Sequence, residues 1–375
     1  MCRPAYVKRH RLGALRITII VGTRPQIIKS APVIQEALRR NLALDIIHTG
    51  QHYDYELSQI FIKEFNLPEP TVNLNVGSGS HVYQIKEIML RLEKYLLESK
   101  PSIVLIPGDT NSALAGALAA VKLDFSVAHI EAGARCYDMR MAEEINRRLI
   151  DHCSEILFAP TENCKANLER ESVLGSIYRT GDTMYDVFLR FRGHADKSDI
   201  LSRLELSDKE YGLLTLHRAE NVDNAERLKR IFKGIIKSSI RIIFPIHPRT
   251  KNRLMESNIS LEGTNVKVVE PVGYIEMLKL LKHAKMVITD SGGLQKEAFW
   301  SKTPCITLRN RTEWVETVNT GVNFLAGTES DKIVQAINLV EKEYDAIKER
   351  FIGNPFGDGR ASERIVNVTL SGLEM

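Results

Sequence analysis

Ile17-Thr18-Ile19-Ile20-Val21-Gly22-Thr23-Arg24-Pro25 decides how this chain is read. Five β-branched residues in a row suit a strand buried on both faces. Gly22-Thr23-Arg24-Pro25 then opens a helix that contains Lys29, and the apolar spacing from Ile27 to Arg40 is helical. Working outward, the same alternation recurs. Leu44–His48, Ile103–Pro107, Val127–Glu131 and Ile156–Ala159 read as strands, with amphipathic stretches at Gln84–Glu98 and Ala142–His152 between them. Strands alternating with helices make βαβ units on a parallel sheet.

After residue 190 the pattern pauses and restarts. Arg190–Glu210 is rich in Asp, Ser and Lys and reads as a linker. Beyond it, Gly212–Leu216, Arg241–Pro245, Lys267–Val269, Met286–Thr289 and Cys305–Leu308 read as strands of a second sheet. The expected fold class is α/β, with two Rossmann-like doubly wound domains facing a cleft. The first spans 17–190 and carries the candidate acids; the second spans 211–359. Residues 1–16 form a basic extension, and 360–375 a terminal helix. In doubly wound sheets ligands bind outside the carboxyl ends of strands, so residues at those ends carry the functional expectations.

Composition narrows the class. The chain has 375 residues, 43% hydrophobic and 26% charged, with a net charge of +4. No basic block with interleaved aromatics appears, so nucleic acid is not an expected partner. No apolar run approaches the roughly 18 residues of a membrane span. Five cysteines, with no Cys-x-x-Cys pair, argue for a reducing, cytoplasmic setting and against a disulfide framework or structural zinc. Neither Gly-x-Gly-x-x-Gly in strand context nor a Walker A loop is present, which disfavours nicotinamide or ATP-hydrolysing chemistry. No cofactor and no metal are expected.

Polar residues cluster just after strands. Arg24 and Lys29 follow the first, where a helix N-terminus favours anions and Arg24 can grip a phosphate. Asp109 follows Ile103–Pro107. Glu131 ends the next strand within His129-Ile130-Glu131-Ala132-Gly133-Ala134-Arg135, and Glu143, Glu144, Asn146, Arg147 and Arg148 share the following helix. Acids from three separate elements are what general acid/base chemistry needs. Glu143 with Arg147 and Glu144 with Arg148 are i,i+4 pairs, and at least one of them reads as plain surface charge. In the second half His217 and His247 end strands. Asp290-Ser291-Gly292-Gly293-Leu294-Gln295-Lys296-Glu297 joins a strand to a helix whose free N–H groups suit a phosphate, with Glu297 a candidate acceptor for ribose hydroxyls.

Taken together these motifs resemble the non-hydrolysing UDP-N-acetylglucosamine 2-epimerases. The shared segments are Gly-Thr-Arg-Pro at Gly22, Thr-Gly-Gln-His at Thr49, Gly-Asp-Thr at Gly108 and His-x-Glu-Ala-Gly-x-Arg at His129. Glu-Glu-x-Asn-Arg at Glu143, His-Arg-x-Glu-Asn at His217, Ser-Gly-Gly-x-Gln at Ser291 and Asn-Pro-Phe-Gly-Asp-Gly at Asn354 follow in the family's order. The resemblance implies a glycosyltransferase-B type fold, a homodimer, and a terminal helix crossing back onto the first domain. By motif position it implies that Asp109, Glu131, Glu143 and His217 are catalytic. It assigns Arg24, Lys29 and Arg147 to the substrate, and Ser291, Gly292, Gly293 and Glu297 to UDP. Gln26, Lys296 and Thr312-Glu313-Trp314-Val315-Glu316 depart from the commonest pattern, which has Glu, Glu and Thr-Glu-Arg-Pro-Glu there. These departures resemble the branch acting on UDP-2,3-diacetamido-2,3-dideoxyglucuronate, and Lys296 is compatible with a more cationic sugar pocket.

The reaction implied is inversion at C2 of UDP-N-acetylglucosamine to give UDP-N-acetylmannosamine. The C2 proton has no adjacent carbonyl to acidify it, which leaves elimination of UDP to a 2-acetamidoglucal and re-addition. Three rivals stand beside it: a hydrolysing 2-epimerase, whose motifs overlap heavily; a glycosyltransferase of similar fold, which would require an acceptor and leave C2 unchanged; and a silent UDP-sugar-binding regulator, against which the three acids argue.

Overall fold

The computed structural model describes residues 15–51 and 62–374. All but the last two residues of the basic extension, and His52 of the Thr-Gly-Gln-His motif, lie outside these. The chain divides into two compact units, one comprising residues up to Val187 together with Pro355–Met375, the other Phe188–Asn354.

Unit 1 is built on a parallel seven-stranded sheet: β1 (Arg16–Val21), β2 (Ala43–His48), β3 (Val72–Asn73), β4 (Ile103–Pro107), β5 (Ser126–Ile130), β6 (Ile156–Ala159) and β7 (Ser176–Arg179). Their order is β3-β2-β1-β4-β5-β6-β7, so the chain reverses direction across the sheet between β1 and β4. That reversal leaves a crevice at the strand carboxyl ends, the place where such sheets take ligands. β1 buries every residue but its first, because helices cover both faces of the sheet. On one face Ile88, Leu92 and Leu96 of the helix His81–Ser99 and the alanines of Asn111–Lys122 pack on Ile20, Val104 and Ile106.

Unit 2 repeats the plan with β8 (Tyr211–Thr215), β9 (Arg241–Pro245), β10 (Val266–Val269), β11 (Met286–Thr289), β12 (Cys305–Thr307) and β13 (Asn323–Leu325). The order β10-β9-β8-β11-β12-β13 puts its switch point between β8 and β11. Ladders in both sheets are parallel.

The expected linker is a difference. Helices Thr183–Ala195 and Ile200–Leu204 occupy much of 190–210, and Ile200 is buried with Leu213, Ile243 and Leu280. The stretch is polar because short one-sided helices need few apolar residues, and the sequence pattern alone does not distinguish that from a loop. The last helix, Ala361–Glu374, packs against Arg24–Arg39. No described helix is long and apolar enough to cross a membrane.

Candidate active site

The carboxyl ends of β1, β4 and β5 bring four charged side chains together in unit 1. Lys29 Nζ donates to Glu131 Oε1 at 2.6 Å, and Arg147 lies 2.7 Å from Asp109 Oδ2. Burial pushes the Asp109 carboxyl up from its ordinary value; the Arg147 and Lys29 cations pull the other way, while Glu143 and Glu131 add to the rise. All four neighbours act on one carboxylate, so Lys29, Asp109, Glu131, Glu143 and Arg147 form one electrostatic cluster. Arg24 stands exposed at the head of the helix that carries Lys29.

Local structure sets this cluster. Arg147 is fixed by a bond from Nε to the Glu143 carbonyl one turn back, which leaves its far end for Asp109. Asn146 donates to the Asp109 carbonyl at 2.9 Å. Glu131 adopts φ +75°, a left-handed conformation that costs a non-glycine residue roughly 1–2 kcal/mol. Gly133, two residues on, has φ +81°, and an added Cβ would lie 2.2 Å from the Cys164 carbonyl oxygen. Gln26 is buried, donating to the Pro107 carbonyl and accepting from the Gly22 N–H, both at 2.9 Å. It ties the β1 turn to the end of β4. The amide is suited to that bond because an ionised glutamate has no proton to donate to a carbonyl.

The expectation of a plain surface pair fails for Glu144. Its side chain is fully buried, accepting from the Cys136 and Tyr137 N–H groups and from Arg148. It anchors the bend that leads out of the Glu131 segment.

In unit 2 a buried carboxylate organises the corresponding switch point. Asp290 accepts from the N–H groups of His217 and Arg218 and from Asn221 Nδ2. His217 remains half exposed, with Nδ1 3.6 Å from Asp290. Next along the chain, Ser291 caps the helix Gly292–Trp300, its hydroxyl accepting from Leu294 N–H. Gly292 and Gly293 are partly exposed on the first turn, and Glu297 is buried on the second. Asp290 therefore binds the His217 and Ser291 segments into one structure. His247 caps its own helix, its Nδ1 accepting from Arg249 N–H. Beside the loop, Arg309 and Glu313 form a buried two-bond ion pair.

Residues 36–370 match the sequence model of the family described as UDP-N-acetylglucosamine 2-epimerase. The UDP-N-acetylglucosamine 2-epimerase of Methanocaldococcus jannaschii is 47% identical over 369 residues, covering 96% of this chain and all of that one. A Pseudomonas aeruginosa relative named UDP-2,3-diacetamido-2,3-dideoxy-D-glucuronate 2-epimerase is 42% identical, over 94% of this chain and 98% of its own. The crystal structure of the M. jannaschii UDP-GlcNAc 2-epimerase in complex with UDP-GlcNAc and UDP superposes with a TM-score of 0.89 at 46% identity, covering 95% of this chain and all of that one. The expected α/β class, with two Rossmann-like parallel sheets of the glycosyltransferase-B type, is the fold of this chain.

Proposed function

This chain belongs to the UDP-N-acetylglucosamine 2-epimerase family, and from that premise we propose that it interconverts UDP-N-acetylglucosamine and UDP-N-acetylmannosamine without hydrolysis. The observation that carries the reading is the cluster at the first switch point, where Asp109 and Glu131 are each paired with a cation at hydrogen-bond distance. A base takes the C2 proton, the C1–oxygen bond breaks with its electron pair leaving on UDP, and a C1–C2 double bond forms. Re-addition of UDP to C1, with a proton delivered to the other face of C2, completes the inversion. Asp109, Glu131 and Glu143 are the candidate acids and bases. Carboxylates beside the ring also favour positive charge developing at C1.

Departure of UDP requires stabilised pyrophosphate charge. We assign that on unit 2 to His217 and the N–H groups of Gly292 and Gly293 at the helix that Ser291 caps, with Glu297 for the ribose. On unit 1, Arg24 is a further anion-binding candidate, and Lys29 and Arg147 orient the acids. Lys296 is fully buried against Trp314, which takes away the support it would lend to a uronic acid substrate. A cytoplasmic setting fits the cysteines, which form no disulfide among the described residues.

A homodimer fits the exposed faces of unit 1. Tyr83, Leu90 and Leu97 recur at seven-residue spacing on one helix, and Ile145 and Leu149 lie one turn apart on another. Both helices pack against Asn111–Lys122. Light scattering at about twice 42.4 kDa supports this, and a monomer refutes it.

The reaction is tested by incubating the protein with UDP-N-acetylglucosamine in D2O. UDP-N-acetylmannosamine with deuterium at C2 is expected. Free N-acetylmannosamine plus UDP would identify the hydrolysing reaction, and turnover of only the diacetamido uronic acid nucleotide would replace the substrate.

A further inference from the structure

One buried group is unused by the chemistry above. His129, on β5, is fully buried and holds Asp151 Oδ1 through Nδ1 at 2.6 Å and the Gly108 carbonyl through Nε2 at 2.9 Å. A carbonyl oxygen only accepts, so Nε2 carries a proton. Asp151 is also buried, and its other oxygen accepts from Gly133 N–H at 3.1 Å and meets Arg135 at 2.7 Å. Burial works against the charged form, yet His129 and Arg135 hold the Asp151 carboxyl below its ordinary value. An ionised carboxylate only accepts, so both ring nitrogens of His129 face acceptors. Arg135 also meets Glu171 at 2.7 Å, so its guanidinium joins two carboxylates, Asp151 and Glu171. Arg148 and His152 also approach Glu171.

The placement of these bonds gives them a consequence. Asp151 grips the chain two residues before Glu131, through His129, and two residues after it, through Gly133. The far side of the imidazole ring grips the carbonyl of the peptide that leads into Asp109. We propose that Asp151 and His129 are a positioning pair, holding Glu131 and Asp109 at a fixed separation just past the ends of neighbouring strands, without touching substrate. The inference rests on the reading of Asp109 and Glu131 as reacting carboxylates. It also accounts for the left-handed backbone at Glu131, which persists only where the surroundings over-determine it.

The test compares Asp151→Asn and His129→Gln with the wild type on whichever UDP-sugar the wild type epimerises. A displacement near 1 Å at reacting groups costs on the order of 100-fold in rate. The expected result is therefore kcat reduced roughly 100-fold in folded variants, with UDP affinity within about twofold. Folded variants whose kcat stays within about threefold of wild type overturn the proposal. If neither variant folds, the wild type decides: with 15N-labelled histidine, the His129 ring, assigned through its own backbone, shows both nitrogens protonated near pH 7. A neutral tautomer overturns the pair. A wild type inactive on every UDP-sugar, with the imidazolium present, sinks the epimerase reading and the positioning role built on it.

Discussion

The ammonium of Lys296 lies 3.9 Å from the centre of the Trp314 ring, so two residues that part from the commonest family pattern are each other's neighbours. Both are buried, and a cation over an indole is worth about 2 kcal/mol when desolvated. Trp314 also covers the first turn of the Ser291 helix: an added Cβ on Gly292 would lie 3.3 Å from its indole nitrogen. Trp314→Ala is expected to cost unit 2 about 3–5 kcal/mol. In urea unfolding, a cycle with Lys296→Met should show coupling of about 1–2 kcal/mol. Strict additivity would mean that the stack contributes nothing.

Arg147 governs the ionisation of Asp109. Burial raises that carboxyl, and Arg147 is the first of the charges opposing the rise. Arg147→Gln removes the larger opposing charge and leaves only Lys29, so the carboxyl rises further and the acid limb of kcat/KM moves to higher pH. Activity at pH 7 should fall by 100-fold or so, within the range of lost acid–base catalysis. A pH–rate profile whose acid limb stays in place would show that Asp109 does not titrate in the reaction.

Gly133 admits no side chain. With φ +81° and the Cys164 carbonyl 2.2 Å from an added Cβ, Gly133→Ala combines backbone strain with a collision against backbone. The expected loss is about 3 kcal/mol or more, read as a fall in Tm. An unchanged Tm would mean that the bend after Glu131 relaxes freely.

Asp186 holds the C-terminal helix. It is buried and accepts from the Ala361 and Ser362 N–H groups and from the Ser362 hydroxyl. Losing this acceptor leaves three donors, at a cost of about 2–4 kcal/mol. Hydrogen exchange should then speed up across 361–374 in Asp186→Ala, while β8 to β13 keep their protection. Equal acceleration in both regions would show that the helix is not held locally.

Much of the fold is legible in the sequence because central parallel strands announce themselves. Ile103–Pro107, Ile156–Ala159, Arg241–Pro245 and Met286–Thr289 are found at the residues expected. Sequence reading omitted β3, β7 and β13, at sheet edges. β7 buries little, and without an apolar run its strand character comes from a neighbour's free ladder edge. The site is legible in part for the same reason. Lys29, Asp109, Glu131 and Glu143 stand just after strands or at a helix head, whereas Asp151 sits inside a helix with nothing local to single it out. Asp290 is visible in its motif, but its hold on His217 comes from a segment 73 residues away.

The sequence by itself determined two successive βαβ arrays, the positions of the turns, and which polar residues stand at strand ends. Those are local consequences of side-chain branching, period and glycine placement. Only the tertiary structure decided which charges meet. Arg147 chooses Asp109, Glu144 turns inward to cap a bend, Lys296 lies on Trp314, and Asp151 reaches Gly108 through His129. Each pairing joins elements whose distance is set by strand register and helix packing, and burial then makes any unpaired alternative costly.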